Sequence, residues 1–410
     1  MSMAHIKIDP MAFSQIKAST LHDPRDLRIE TRGIRPPNNE EVQVAIRTTT
    51  LCGSDLHYYN HFANGDILVR EPLTLGHESA GVITELGSPS PSDARGERLK
   101  VGDRVALEVG LPCGICDLCR EGRYNICPEM KFRSSARGFP HAQGTLQERI
   151  NHPVKFVHKL SPELSLEMGA LLEPLGVAIH AGRRAGLRSG SRVLVFGAGA
   201  VGLLTAAVVR MNDPESKILI ADVDAGRLAF AVENGFANAS FKVNGIRLEK
   251  IEDQLASAQG IAAEIGETNI DDEAIGQVNA VFECTGVPSC LQAAIYACKA
   301  GGKVMLIGMG TPVQTLPISA AALREVDIVG VFRYANTYPT GIELLRRAQK
   351  MLESGQEAPR FDKLVTHRYR GFENIEDAFK MAAKTVDEQG KLVLKVLVEL
   401  EGDESQQARL

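Results

Sequence analysis

The sequence has no tryptophan, no apolar run long enough to span a membrane, and no excess of basic charge. Its longest apolar stretch, VLVFGAGAVGLLTAAVV from Val193 to Val209, falls short of the ~20 residues a span requires and is cut by three glycines. No membrane association is therefore expected. A formal net charge of -5 carries no basic footprint, which excludes nucleic acid and anionic lipid surfaces as expected partners. The first residues, MSMAHIKIDPMAF, hold neither an apolar core nor a small-residue cleavage site, so no secretory signal is expected. No internal repeat is present. The terminal tripeptide Ala408-Arg409-Leu410 resembles a peroxisomal address of the S-K-L kind, a reading weighed evenly against a chance ending on a polar tail. The expected compartment is the cytoplasm, with the peroxisome as the alternative.

What is there is a globular chain of 410 residues, long enough for two domains that each bury a core. Eight cysteines in a chain read as lacking a signal point to a reducing compartment, where clustered cysteines are metal ligands more often than disulfides. The 38 glycines suit a fold rich in tight βα turns.

Up to about residue 160 the sequence reads as short β-rich pieces with turn punctuation (EEVQVAIRTTTLCG, SAGVITELG, VGDRVALEVG), which suggests a barrel-like β domain. Within it SPSPSDARGERL, residues 88–99, reads as a solvated loop. From about Ser191 strands alternate with helices: SRVLVFGAG, AVGLLTAAVVRM, SKILIADVD, AGRLAFAVENGFA, VNAVFECTG and GGKVMLIGMG. Apolar strands separated by helices imply an α/β fold with a doubly wound parallel sheet covered on both faces. Residues 246–276 read as a crossover helix with loops. After Gly330 the pattern returns to mixed elements ending in the strand KLVLKVLVEL, which most simply completes the first domain. The expected division is 1–176, 177–330 and 331–410, with a cysteine-bearing lobe at about 108–130.

Two cysteine-bearing constellations stand out. In PCGICDLCREGRYNICPEM, Cys113, Cys116, Cys119 and Cys127 follow the spacing C-x2-C-x2-C-x7-C. Four thiolates complete a tetrahedral zinc and leave no open position, so this site reads as structural. Elsewhere TLCGSDLHYY supplies Cys52, Ser54, Asp55, His57 and Tyr58, LTLGHESAG supplies His77 and Glu78, and GALLEPLGVAIH supplies Glu173. Singly these are a buried cysteine, a core histidine and a capping acid. Together they are mixed S, N and O ligands from distant segments, the make-up of an open catalytic zinc site.

VLVFGAGAVG contains Gly197-x-Gly199-x-x-Gly202 between a strand and a helix. The first glycine permits the tight turn, the second lets a pyrophosphate approach the backbone and the third lets helix and strand pack closely. Asp222 ends the next strand, twenty residues after Gly202. A carboxylate there accepts from ribose hydroxyls and repels a 2′-phosphate, which favours NAD+ over NADP+. Arg227 is placed to flank the adenine.

GHESAG, the four-cysteine loop, the EPL segment and the glycine motif occur one after another in this order, and the chain so resembles the zinc-dependent medium-chain dehydrogenases over nearly its whole length. CGSDLHYY, EPLGVAIHAGRRAG and FRYANTYP are similar to the sorbitol (polyol) dehydrogenase branch, and Glu173 stands where simple alcohol dehydrogenases carry a cysteine. The resemblance implies a GroES-like catalytic domain, a Rossmann coenzyme domain, two Zn2+ per chain, NAD+, a polyol substrate and a homo-oligomer, dimer or tetramer. It implies Cys52, His77 and Glu78 as zinc ligands and Glu173 at the metal or its water. Tyr58, Glu173, Arg333 and Tyr334 would meet polyol hydroxyls. Ile307, Gly308 and Met309 with Val331, Phe332 and Arg333 would line the nicotinamide, and Val201 would join the glycine loop. KFRSSARGFPHAQGTL, Lys131 to Leu146, departs from the branch where its substrate pocket is shaped.

In that chemistry zinc acts as a Lewis acid on the substrate hydroxyl. Hydride passes to the nicotinamide, and Ser54 and His57 are placed to relay the proton to solvent. Asp55 would fix the tautomer of His77. A secondary-alcohol or threonine-type dehydrogenase is the nearest alternative. A zinc-ribbon binding protein is disfavoured, because ribbons offer two separated C-x2-C knuckles in basic surroundings. A catalytically dead relative is disfavoured too, since every expected catalytic position is filled.

Overall fold

The computed structural model describes residues 13–245 and 248–400; the terminal tripeptide lies outside them. The chain divides into two compact units, 1–173 with 365–410, and 174–364.

The first unit is built on a seven-stranded sheet. Its long central strand, Glu41–Thr50, pairs antiparallel with Glu78–Leu86, with Arg149–Pro153 and with Lys395–Glu399. Leu73, Leu75, Ile83, Leu107, Val396 and Val398 belong to the apolar core beneath it. Glu41–Thr50 is buried at eight of its ten positions, as expected of a strand covered on both faces rather than on one.

The C-terminal end of this strand positions Cys52 and Glu78. Thr50 stands opposite Glu78 on one side and Leu397 on the other. Two residues on, Cys52 in extended conformation caps the helix Gly53–His61. Asp55 closes the capping box by accepting the Cys52 N–H at 3.2 Å, and Phe62 ends the helix in the left-handed region (φ 53°). A strand end and a helix start thus fix Cys52 beside the His77-Glu78 pair.

The second unit holds a six-stranded, wholly parallel sheet: Ala239–Lys242, Lys217–Asp222, Arg192–Phe196, Val278–Glu283, Cys298–Leu306 and Asp327–Gly330, in that spatial order. Counted along the chain this is 3-2-1-4-5-6, the doubly wound dinucleotide-binding order, with its switch point beside Arg192–Phe196. The 246–276 stretch contains the anticipated helix, Ile251–Gly266, but also a short antiparallel pair, Asn269–Ile270 with Glu273–Ala274. Asp271 and Asp272 turn that pair at positive φ, 52° and 65°, a conformation Asp adopts more readily than most residues.

The return to the first unit comes at Val365, later than the expected 331. The reason is the helix Tyr338–Glu353, which buries Tyr338, Ile342, Leu344, Leu345 and Ala348. Arg183 donates to the Asn336 carbonyl (2.8 Å) and Thr340 Oγ1 (2.7 Å), and Arg347 donates to the Met211 carbonyl, so 331–364 is sewn into the second unit. No helix among the described residues is long and apolar enough to cross a membrane.

Because Lys395–Glu399 is paired on both sides, by Glu41–Thr50 and by Val365–Arg370, it is an interior strand. Ending the chain after Leu392 should leave the first unit unable to fold. Loss of its cooperative melting transition by calorimetry would be the readout.

Candidate active site

Four thiols gather in the lobe. Sulfur separations are 3.5 Å (Cys116–Cys119), 3.6 Å (Cys113–Cys127), and 3.9 Å for both Cys113–Cys119 and Cys116–Cys127. A tetrahedron of thiolates ~2.3 Å from zinc has edges of about 3.8 Å, so the sulfurs already stand where such a metal would hold them. None of the four forms a disulfide. The N–H groups of Ile115 and Cys116 pull the Cys113 thiol down to about 6, whereas burial, then the Cys116 sulfur, pushes Cys119 up to about 12. Thiols ligate a metal as thiolates, so filling this cluster would release the protons they still carry. Tyr124 Oη donates to Glu108 at 2.5 Å, and Glu108 also meets His158 Nε2 at 2.9 Å, so a buried polar chain ties the lobe to the sheet.

The second cluster is Cys52, His77 and Glu78, whose ligand atoms all lie within 4.8 Å of one another. Asp55, fully buried, organises it: its carboxylate accepts from Cys52 N–H (3.2 Å), Gly76 N–H (3.1 Å) and Ser134 Oγ (2.6 Å), and lies 3.2 Å from His77 Nδ1. Burial pushes Asp55 up, but the His77 charge and these donors hold it below the usual carboxylate range. Burial opposes charge on His77 as well, and the Asp55 carboxylate outweighs it, raising the imidazole. A hydrogen bond from Nδ1–H to Asp55 leaves Nε2 as the ligating nitrogen. A half-buried thiol with a buried imidazole and carboxylate, and no fourth protein ligand among them, fit a metal with an open position.

Glu78 brings a feature that the sequence reading missed. Both its oxygens are engaged by Lys395 Nζ, and Thr50 Oγ1 donates to one of them. Lys395 is buried and also donates to the Leu51 carbonyl at 3.3 Å. Burial drives its ammonium toward neutrality, but the Glu78 charge, followed by those of Cys52 and Glu173, keeps it above the ordinary lysine value. The signal was a lysine inside the buried run K-V-L-V-E, where charge needs a partner. Glu173 is buried at the start of the helix Leu172–Ala185 and acts electrostatically on Lys395, but it is not one of the three clustered ligands.

The remaining expected residues divide between the units. Ser54 and exposed His57 are three apart on the helix that Cys52 caps, hence on one face. Tyr58 is buried, and its hydroxyl accepts the Ala136 N–H at 3.2 Å. Arg333 and Tyr334 belong to the second unit. Arg333, at φ 49°, lies 4.8 Å over the Phe332 ring, and Tyr334 is buried against Gly176 and Tyr338. Val331 N–H bonds the Leu306 carbonyl at 2.9 Å, which holds 331–333 next to Ile307-Gly308-Met309.

At the glycine loop, Gly197 has φ 97° and a Cβ on Gly202 would fall 1.7 Å from the Gly197 carbonyl oxygen, so turn and helix admit only glycine at these two positions. Gly199 caps the helix Ala200–Asn212, with Val201 in its first turn. Asp222 accepts from Ala198 N–H (2.6 Å) and Asp224 N–H (2.9 Å). Arg227 reaches the open side of Gly199, and its buried Nε has no partner among the described residues. An orphaned guanidinium nitrogen beside a phosphate-type loop fits a dinucleotide.

One unit thus bears a closed thiolate cluster and an open mixed-ligand cluster, and the other bears a doubly wound nucleotide site. That combination defines a two-domain, metal- and nucleotide-dependent oxidoreductase. Residues 38–162 match the alcohol dehydrogenase GroES-like domain and residues 200–347 the zinc-binding dehydrogenase family. The sorbitol dehydrogenase of Arabidopsis thaliana is 40% identical over 362 residues, 88% of each chain. The L-idonate 5-dehydrogenase of Vitis vinifera is 36% identical over 345 residues, 84% of this chain and 85% of the relative. The alcohol dehydrogenase rspB from Escherichia coli CFT073, solved with NADH, is 25% identical, has a TM-score of 0.74 and covers 94% of this chain and 99% of its own. The chain belongs to the zinc-binding dehydrogenase family.

Replacing Lys395 by methionine should destabilise the first unit by about 3–5 kcal/mol, since it strands a buried carboxylate; urea denaturation measures this. Cys116→Ser should lower the melting temperature and the zinc content by one per chain, while the surviving folded fraction keeps its activity per remaining zinc.

Proposed function

We propose that this chain oxidises a secondary hydroxyl of a polyol to the ketose, with NAD+ as hydride acceptor and zinc at the Cys52-His77-Glu78 cluster. The reading is carried by that open, largely buried cluster of three unlike ligands in a unit that also holds a closed four-thiol site. Sorbitol and L-idonate, the substrates in the relatives' names, are both polyhydroxylated six-carbon chains, and this supports the substrate class.

When bound, zinc supplies the Lewis acidity that brings the pKa of a substrate hydroxyl within reach of neutral pH. The rest falls to the protein. Asp55 holds His77 in the tautomer that ligates through Nε2. Lys395 offsets part of the negative charge that Cys52 and Glu78 bring to the cluster. Ser54 would accept the substrate hydroxyl's proton while passing its own on, by way of the nicotinamide ribose, to His57, which at the surface releases a proton to solvent. Asp222 holds the adenosine ribose and Arg227 flanks the adenine, while Ile307-Gly308-Met309 and Val331-Phe332-Arg333 line the nicotinamide. We assign Glu173 to the metal or its water, and Tyr58, Arg333 and Tyr334 to the polyol hydroxyls. Four thiolates at Cys113, Cys116, Cys119 and Cys127 hold the second, structural zinc. Exposed Val313, Ile318 and Leu323, close in sequence to the edge strand Asp327–Gly330, favour a homo-oligomer, dimer or tetramer.

An NAD+-coupled screen over C5 and C6 polyols, simple secondary alcohols and threonine should give turnover with the polyols. His77→Ala should carry one zinc instead of two and show no measurable turnover; unchanged activity in that variant would remove the metal assignment.

A further inference from the structure

Asp55 is held by four donors. Three of them, Cys52 N–H, Gly76 N–H and His77 Nδ1, lie in the ligand-bearing loops themselves. The fourth is Ser134 Oγ, 79 residues away in sequence, in the stretch 131–146. Its 2.6 Å distance is the shortest of the set. Ser134 is buried and sits at φ 64°, a left-handed conformation that serine rarely adopts and that persists only where the surroundings impose it.

The surroundings do so. Arg133 donates to the carbonyls of Gln143 (3.0 Å) and Asn151 (2.7 Å), clamping the stretch across its own loop. Ser134 N–H bonds the Ala142 carbonyl at 2.9 Å, and Gln143 Oε1 accepts from Thr74 N–H at 2.7 Å. On either side of Ser134, Phe132 packs its ring against the His77 imidazole, centroids 5.6 Å apart, and Ala136 N–H reaches Tyr58 Oη. The backbone is thus bent, at a conformational cost, into the one course that delivers a hydroxyl to Asp55.

We propose that Ser134 is a positioning residue of the catalytic metal centre: acting through Asp55, it fixes the orientation of His77 and couples the pocket-shaping stretch 131–146 to the metal. This rests on the zinc assignment above. Removing a partner of this kind from behind a ligating histidine weakens metal affinity about 10- to 100-fold.

The test compares Ser134→Ala and Ser134→Gly in the full-length zinc enzyme. Both lose the hydroxyl; glycine is at ease at positive φ, whereas alanine is not. Zinc release to a chromogenic chelator is followed beside the visible spectrum of the enzyme with cobalt at the catalytic position. The four-thiolate zinc serves as an internal reference. Both variants should lose the catalytic zinc about 10- to 100-fold faster than wild type. Both should show a shifted cobalt spectrum, a lower kcat and an unchanged KM for NAD+. Wild-type release and spectrum in both variants would overturn the proposal. So would an effect confined to one of them, which would make the backbone and not the hydroxyl responsible. A wild-type enzyme holding only the four-thiolate zinc would instead overturn the metal assignment beneath it.

Discussion

The ion pair between Glu78 and Lys395 is the contact on which the first unit turns. It joins residues 317 apart in sequence, at the point where three strands meet around Thr50. Thr50 fixes the register on both sides: Glu78 opposite it on one strand, Leu397 on the other. Because a one-residue slip would turn every side chain to the other face, that register determines that Glu78 and Lys395 converge. Cys52, two residues beyond Thr50, and His77, one before Glu78, are carried into the same place. The metal cluster is therefore a consequence of strand pairing.

Two cysteine-bearing sites share the unit and divide its tasks by coordination. Four like ligands close a tetrahedron; thiol, imidazole and carboxylate leave a position open. Their surroundings differ to match. The lobe's cysteines are mostly half-exposed in a loop with little apolar content, so metal binding supplies its folding energy. Asp55, His77 and Glu78 are buried and held by protein donors alone, so this site is organised before any metal arrives.

Motif chemistry was legible in the sequence because it is local. The four-cysteine spacing, the glycine loop with Asp222, and the strand–helix alternation each lie within a few dozen residues, and each appears where expected in kind. The exit from the second unit at Val365 was not legible, since Tyr338–Glu353 is amphipathic and would suit either unit until its partner is known. Lys395 left only the mark of a charge in an apolar strand, and Ser134 none, for a related reason. Their importance lies in pairings across 317 and 79 residues, and neither belongs to a recognisable motif. Tyr58 and Tyr334 illustrate the converse. Both tyrosines are buried, at 2% and 3% exposure, which the sequence around them does not reveal.

A buried ion pair is a poor way to stabilise a fold. Desolvating two charges cancels most of their attraction, and replacing such a pair by apolar residues of similar volume is often neutral or stabilising by about 1–4 kcal/mol. The next three residues are Val396, Leu397 and Val398, all buried, and leucine or methionine at 395 would suit that pattern. That a lysine occupies the position points to a need at Glu78 and not in the strand. Lys395 and Thr50 give the buried Glu78 carboxylate a counter-charge and hydrogen bonds at both oxygens, the partners that a buried acid needs. The sheet gives up packing energy at its centre so that the cluster beside it can bind a cation, and the strand register makes the two requirements inseparable.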